Sequence, residues 1–173
     1  MIHMELPMPK TSPAKSSVQI AEQATVAYMV AGEPRAAGAW VAYRDRFLGS
    51  SAQARISEIR KGAPASNLVG AAEALRLPRE RVYELVGLSA STAKRKLAKG
   101  EALDPMSTER LTRLGAIEKL AEDTFGSPSL ASEWLQTANI GLGNVMPLSM
   151  LDTEIGCREV ARVLNAIAYG GAA

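Results

Sequence analysis

The chain holds one cysteine, Cys157, and one histidine, His3, in 173 residues. A lone cysteine excludes an internal disulfide, and no Cys/His pair has metal-ligand spacing. Cys157 falls in an apolar helical pattern and reads as a small buried side chain. His3 lies in a tail-like stretch, so histidine-based acid–base catalysis has no support. Aromatics make up only 5% of the residues, while Ala and Leu are common, which favours helices over sheets. No apolar run approaches the roughly 20 residues that a membrane span needs. Glu5 and two early prolines interrupt any signal-peptide pattern. The expectation is a cytoplasmic protein with no membrane partner.

The catalytic loops are missing as well. Gly141-Leu142-Gly143-Asn144 is glycine-rich, but a phosphate-cradling loop needs Lys and Ser/Thr after its glycines, and a dinucleotide site needs a preceding strand. Neither is present. The expectation is no enzyme, no metal and no cofactor.

What the chain does have is enough apolar residue, 47%, to bury a core in one ordinary domain or two small ones. Its net charge of +2 is unevenly spread: residues 76–100 carry +5 and residues 101–173 carry −5. A basic module followed by an acidic one points to a polyanion on one surface and a different partner on the other. The plain alternative is two solvated faces of incidental charge.

Residues 1–17 read as a tail, and residues 18–31 as a helix with Ile20, Ala24, Ala27 and Ala31 on one stripe. Residues 38–48 fit a helix or a short strand. A short helix follows from Ala52 to Lys61, stopped by Gly62, and Pro64 opens another through Leu68, Ala71, Ala72 and Leu75.

The first motif with chemistry follows. Pro78 starts a helix that Gly87 stops, and Ser89 caps a second helix running to Gly100. Two short helices joined through Gly87-Leu88 describe a helix-turn-helix, with Gly87 free to take positive φ and Leu88 filling the angle. On the second helix Ala90, Ala93 and Leu97 share the inner face, and Thr92, Arg95 and Lys99 the outer one, with Ser91 and Lys96 beside them. A groove-reading helix needs this division. Arg95 suits a guanine edge, and Lys94, Lys96 and Lys99 suit phosphates. Tyr83 stands where such motifs usually carry a small residue, and Ala93 where they carry a larger aliphatic. A helix pair without DNA contact is the structural alternative.

Asp104-Pro105 then opens a helix with Leu111, Leu114, Ile117, Ala121 and Phe125 on one stripe, and Ser127-Pro128 opens another that reaches Trp134-Leu135. After the Asn/Gly loop, Pro147 starts a turn. Asp152 or Thr153 caps a last helix presenting Val160, Val163, Leu164 and Ile167, and Gly170 stops it.

From Ile59 to Gly170 the chain resembles the Xre/MbcA/ParS antitoxins, partners of RES-domain toxins in type II toxin–antitoxin pairs. The resemblance rests on Gly87-Leu88-Ser89, Thr92, Arg95, Leu97, Leu103, Ser107, Arg110-Leu111 and Phe125-Gly126. It continues through Trp134-Leu135, Asn139, Leu142-Gly143, Pro147-Leu148, Leu151-Asp152-Thr153, Gly156, Val160 and Tyr169-Gly170.

The resemblance implies an all-α fold with an Xre-like helix-turn-helix over residues 51–103 and a small helical toxin-binding domain over 104–173; residues 1–50, a tail and helical extension, lie largely outside it. It further implies binding of a cognate RES-domain toxin that degrades NAD, binding of operator DNA, and a homodimer within a larger complex. DNA would meet Ser89, Ser91, Thr92, Lys94, Arg95, Lys96 and Lys99. The toxin would meet Asn139, Gly143, Asn144, Pro147, Glu154, Tyr169 and Gly170, with Glu159 and the C-terminal carboxylate answering basic groups of its pocket. Trp134, Leu148, Leu151, Val160 and Leu164 are expected to build the domain core instead. The alternative is a helix-turn-helix repressor whose C-terminal domain serves only dimerisation.

Overall fold

The computed structural model describes residues 35–170, and the helix expected over residues 18–31 lies outside them. Among the described residues there are eight α-helices and no strand. The first, α1 (Arg35–Gly49), buries Ala37, Trp40, Tyr43, Arg44 and Phe47 along one face. Spacings of three and four residues choose a helix for a segment that could also have read as a strand. Trp40 is fully buried, and two glycines make room for it. A Cβ on Gly70 would stand 2.5 Å from the Cβ of Trp40, and one on Gly115 would stand 2.9 Å from its ring.

Next, α2 (Ala52–Lys61) is capped by the Ser51 hydroxyl, which accepts from Ala54 N–H, and Gly62 ends it. The following helix, α3 (Asn67–Ala74), starts three residues later than Pro64, where the sequence pattern put it. Extended pairing holds that segment back. Ala63 O accepts from Leu103 N–H at 2.8 Å, Ala65 N–H donates to Glu101 O at 3.2 Å, and Pro64 bridges to Ala102. The two short helices α4 (Arg79–Leu85) and α5 (Ala90–Lys99) then lead into the longest, α6 (Pro105–Phe125).

Asp104 caps α6 by accepting from both the N–H and the hydroxyl of Ser107. Its stripe of Leu111, Leu114, Ile117 and Ala121 is buried as expected. Leu111, Leu114 and Ile117 each contribute about 1.5–3 kcal/mol when fully covered, and the methyl of Ala121 less. Beyond Gly126, α7 (Pro128–Leu135) is capped by Ser127, and Trp134 lies against Phe125 with ring centroids 5.6 Å apart. Ser132 Oγ and Gln136 Nε2 donate to the carbonyl of Leu75, which fastens α7 to the end of α3.

Two 3-10 turns, Ile140–Leu142 and Pro147–Met150, precede the last helix, α8 (Glu154–Ala168). Thr153, not Asp152, caps α8, its hydroxyl accepting from Gly156 N–H at 3.0 Å. Cys157, Val160, Val163 and Leu164 face inward, and the Cys157 thiol donates to Leu151 O. Ile167 was expected on that face but is 43% exposed, because α8 runs on past the core. One cluster of buried side chains extends from Trp40 to Leu164 and crosses position 103/104 without a gap.

Beneath the surface lies a charged network. Trp40 Nε1 donates to Glu118 at 2.8 Å. Arg44 forks onto both oxygens of Glu122 at 2.9 and 2.8 Å and reaches Glu118 only at 3.3 Å. Burial pushes the Glu118 carboxyl up to about 7, more than its contacts with Arg44 and Trp40 bring it down. Arg44 takes the opposite balance: burial is the largest single effect and disfavours its charge, but the bonds to Glu122 and Asp45 and the nearby Glu118 together outweigh it and hold Arg44 charged.

Candidate functional site

The turn between α4 and α5 has the geometry its sequence requires. Gly87 has φ +75°, and Leu88 N–H donates to Tyr83 O at 2.8 Å, closing the end of α4. Leu88 packs partly buried against the core. Ser89 Oγ accepts from Thr92 N–H and also bonds the hydroxyls of Ser91 and Thr92. These three hydroxyls therefore form one cluster at the N-terminus of α5. Tyr83 and Ala93 are both buried in the same core, so neither departure from the usual pattern reaches the surface.

On α5, Ala93 is fully buried and Leu97 packs against the core. Ala90 was expected inside, yet it is exposed, because it is the first residue of the helix and lies ahead of the packed turn. The outer face carries the expected cations, all engaged within the protein. Lys94 lies 3.7 Å from Glu80, and Arg95 Nη1 lies 2.9 and 3.1 Å from the two oxygens of Glu101. Lys99 lies 3.8 Å from the same carboxylate. Lys96 is turned inward, 15% exposed, and donates to Ala102 O at 2.7 Å. Sequence reasoning placed Glu101 on the far side of a charge boundary and missed that it folds back onto the basic helix.

The second surface is at the other end of the molecule's sequence. Asn139 organises its loop: its Oδ1 accepts from Gly141 N–H, and its backbone pairs with Val145 and Asn144. Gly143 and Asn144 turn the chain with φ +72° and +64°. Their backbone conformations hold Ile140 out in solvent, 90% exposed. The loop faces the end of α8, and Asn139, Gly141, Arg162, Val163, Ala166, Ile167 and Gly170 line a groove of about 460 Å³. Tyr169, 84% exposed, stands beside Gly170 at the end of that helix.

Other expected contacts stand elsewhere. Pro147 is buried and starts a 3-10 turn, which suits it to positioning the loop. Glu154 sits in the first turn of α8 and pairs with Arg158 at 3.1 Å, and Glu159 pairs with Arg162 at 3.0 Å. Sequence reasoning missed Ile140, Val145 and Met146 as exposed apolar groups, since an apolar residue near glycines carries no mark of its exposure.

Among the described residues there is no metal-binding cluster of His, Cys, Asp and Glu, and no helix long and apolar enough to cross a membrane. Comparison with known families matches residues 54–115 to the antitoxin Xre-like helix-turn-helix domain. Residues 120–170 match the antitoxin Xre/MbcA/ParS C-terminal toxin-binding domain. The chain is 32% identical over 125 residues to the Prs ADP-ribosylating antitoxin of Sphingobium sp., covering 67% of this chain and 79% of the relative. It is 27% identical over 95 residues to Antitoxin Xre of Yersinia enterocolitica, covering 54% of this chain and 64% of that protein. It is also 30% identical over 79 residues to Antitoxin Xre of Pseudomonas putida, covering 46% and 50%. With a basic helix-turn-helix followed by the groove-bearing helical unit, the chain belongs to the Xre/MbcA/ParS family of type II antitoxins.

Proposed function

We propose that this antitoxin neutralises a RES-type, NAD-degrading toxin by covering the toxin's substrate pocket with the residue 139–147 loop and the end of α8. The observation that carries this reading is the pairing of exposed apolar groups with a groove. Ile167, 43% exposed, lines the groove, and Ile140 and Tyr169, 90% and 84% exposed, are chain neighbours of its lining residues Asn139, Gly141 and Gly170. Exposed apolar residues gathered on one edge mark an interface more than a monomer's ordinary surface. Asn139, Gly143, Asn144 and Pro147 build the loop, and Tyr169 and Gly170 end the helix opposite. The name of the Sphingobium relative includes ADP-ribosylation, a chemistry that draws on NAD. Glu154 and Glu159 are held only by exposed ion pairs worth about 0–1 kcal/mol, so they can exchange their arginines for a partner's basic groups at little cost.

The same reading gives the protein no catalytic part. Its helix-turn-helix binds the operator of its own operon as a homodimer, with Ser89, Ser91 and Thr92 at the groove edge and Lys94, Arg95 and Lys99 toward nucleic acid. That role places it in the cytoplasm. The test is co-purification with the product of the adjacent gene, followed by an NAD-consumption assay on the pure proteins. Full-length protein should suppress consumption, and a chain lacking residues 169–173 should not. Full suppression by the shortened chain removes the pocket-covering mechanism. Absence of any complex removes the toxin reading and leaves the repressor whose C-terminal domain only dimerises.

A further inference from the structure

Three cations at the C-terminal end of α5 converge on one carboxylate. Arg95 Nη1 lies 2.9 Å from Oε2 of Glu101, Lys99 Nζ 3.8 Å from Oε1, and Lys96 Nζ 3.9 Å from Oε2. That is an anion site with more positive charge than its occupant neutralises. The occupant is also fixed in place. Glu101 N–H donates to Lys96 O at 2.9 Å, its carbonyl accepts from Ala65 N–H at 3.2 Å, and Gly100 before it turns the chain with φ +63°. Its carboxylate therefore projects from a backbone tied at both ends, onto a helix end where negative charge is already unfavourable. A carboxylate and a phosphate offer such cations the same acceptor chemistry.

We propose that Glu101 occupies, in the free protein, the place that a DNA backbone phosphate takes when nucleic acid binds. It holds Arg95 and Lys99 away from DNA, and its displacement sets how much of the charge on α5 is available for binding. Exposed ion pairs of this kind are weak enough for a polyanion to displace, yet strong enough to subtract from its affinity. The inference rests on the DNA-binding reading of α5.

Glu101→Gln keeps the size of the side chain and its backbone hydrogen bonds while removing the charge. Full-length variants are titrated by fluorescence anisotropy onto a labelled duplex carrying the DNA upstream of the protein's own gene. At about 0.1 M salt, Glu101→Gln is expected to bind about three- to tenfold tighter than wild type with an unchanged melting temperature. Asp123→Asn removes the same unit of charge at the far end of α6 and should change affinity less than about twofold. In an Arg95→Ala background the gain from Glu101→Gln should largely disappear.

The proposal is overturned if Glu101→Gln binds no tighter than Asp123→Asn, or if its gain survives intact without Arg95. A wild type that binds DNA alongside a Glu101→Gln variant that gains nothing removes this proposal alone. If no variant binds the duplex even at low salt, the DNA-binding reading fails and takes this proposal with it.

Discussion

The indole N–H of Trp40 donates to the carboxylate of Glu118 at 2.8 Å, 78 positions along the chain, and both side chains are buried. This bond ties α1, which lies outside the two matched family segments, to the middle of α6. Its electrostatics are unbalanced, because Arg44 gives its two-pronged contact to Glu122 and leaves Glu118 with the longer one.

Protonation follows from that imbalance. Burial raises the folded-state value of Glu118 from 4.5 to about 7, so the folded protein binds a proton that the unfolded chain has released. The contribution is complete below the unfolded value and is lost as pH rises through the folded one. Glu118→Gln mimics the protonated form and retains an acceptor for Trp40. Urea unfolding of wild type and variant should agree near pH 4 and diverge by up to about 3 kcal/mol in the variant's favour by pH 8. Parallel stability curves would show that Glu118 does not titrate in this range.

Gly87 tests the turn. Its φ of +75° is in the left-handed region, and an added Cβ would fall 1.8 Å from Arg110 Nη1. Gly87→Ala should cost about 1–2 kcal/mol in urea unfolding from backbone conformation alone. Adding Arg110→Ala clears the space but not the backbone penalty, so it should recover only part of the loss. Full recovery would show the cost to be steric.

The groove makes a sharper demand. Ile140→Asp and Tyr169→Ala change side chains that contribute almost nothing to the fold, being 90% and 84% exposed. Each should leave the melting temperature unchanged while weakening toxin binding in calorimetry by about 2 kcal/mol or more. Leu148→Asp, at a buried position, should unfold the protein instead. Wild-type affinity in both surface variants would move the interface elsewhere.

For DNA, the three cations still reaching solvent give a salt signature. Lys94, Arg95 and Lys99 are 67%, 51% and 62% exposed, whereas Lys96 is turned inward. Replacing Lys94 with Ala should reduce the slope of log affinity against log salt by about one per half-site. Replacing Lys96 should change stability more than that slope. The reverse pattern would mean that Lys96 leaves Ala102 O on binding DNA.

Much of this architecture was legible from caps and stops. Ser89, Asp104, Ser127 and Thr153 each accept from the N–H that their position calls for, and Gly87, Gly100 and Gly126 all take positive φ. Local chemistry dictates such features, so a local reading finds them. The start of α3 was misplaced because Pro64 obeys a pairing with Ala102, 38 positions away. Glu101 escaped notice for a related reason. A charge tally assigns it to the acidic half, while Gly100 turns it back upon the basic one. The candidate groove was half visible: Asn139 and Gly170 stood out, but the exposure of Ile140 beside it depends on how the loop closes.

The long helix α6 carries a consequence for the whole molecule. At its start, Thr108 Oγ1 accepts from Ala63 N–H, and Arg110 lies over the turn at Gly87. Further along, it packs against both α7 and α8. A helix of 21 residues is about 31 Å long and has no joint of its own. The turn that leads into α5 and the groove are therefore braced to a common beam, not strung on a tether. Whatever sits in the groove is carried at a set distance and angle from whatever α5 touches, so the spacing of bound partners along an operator would be written in the protein's own dimensions.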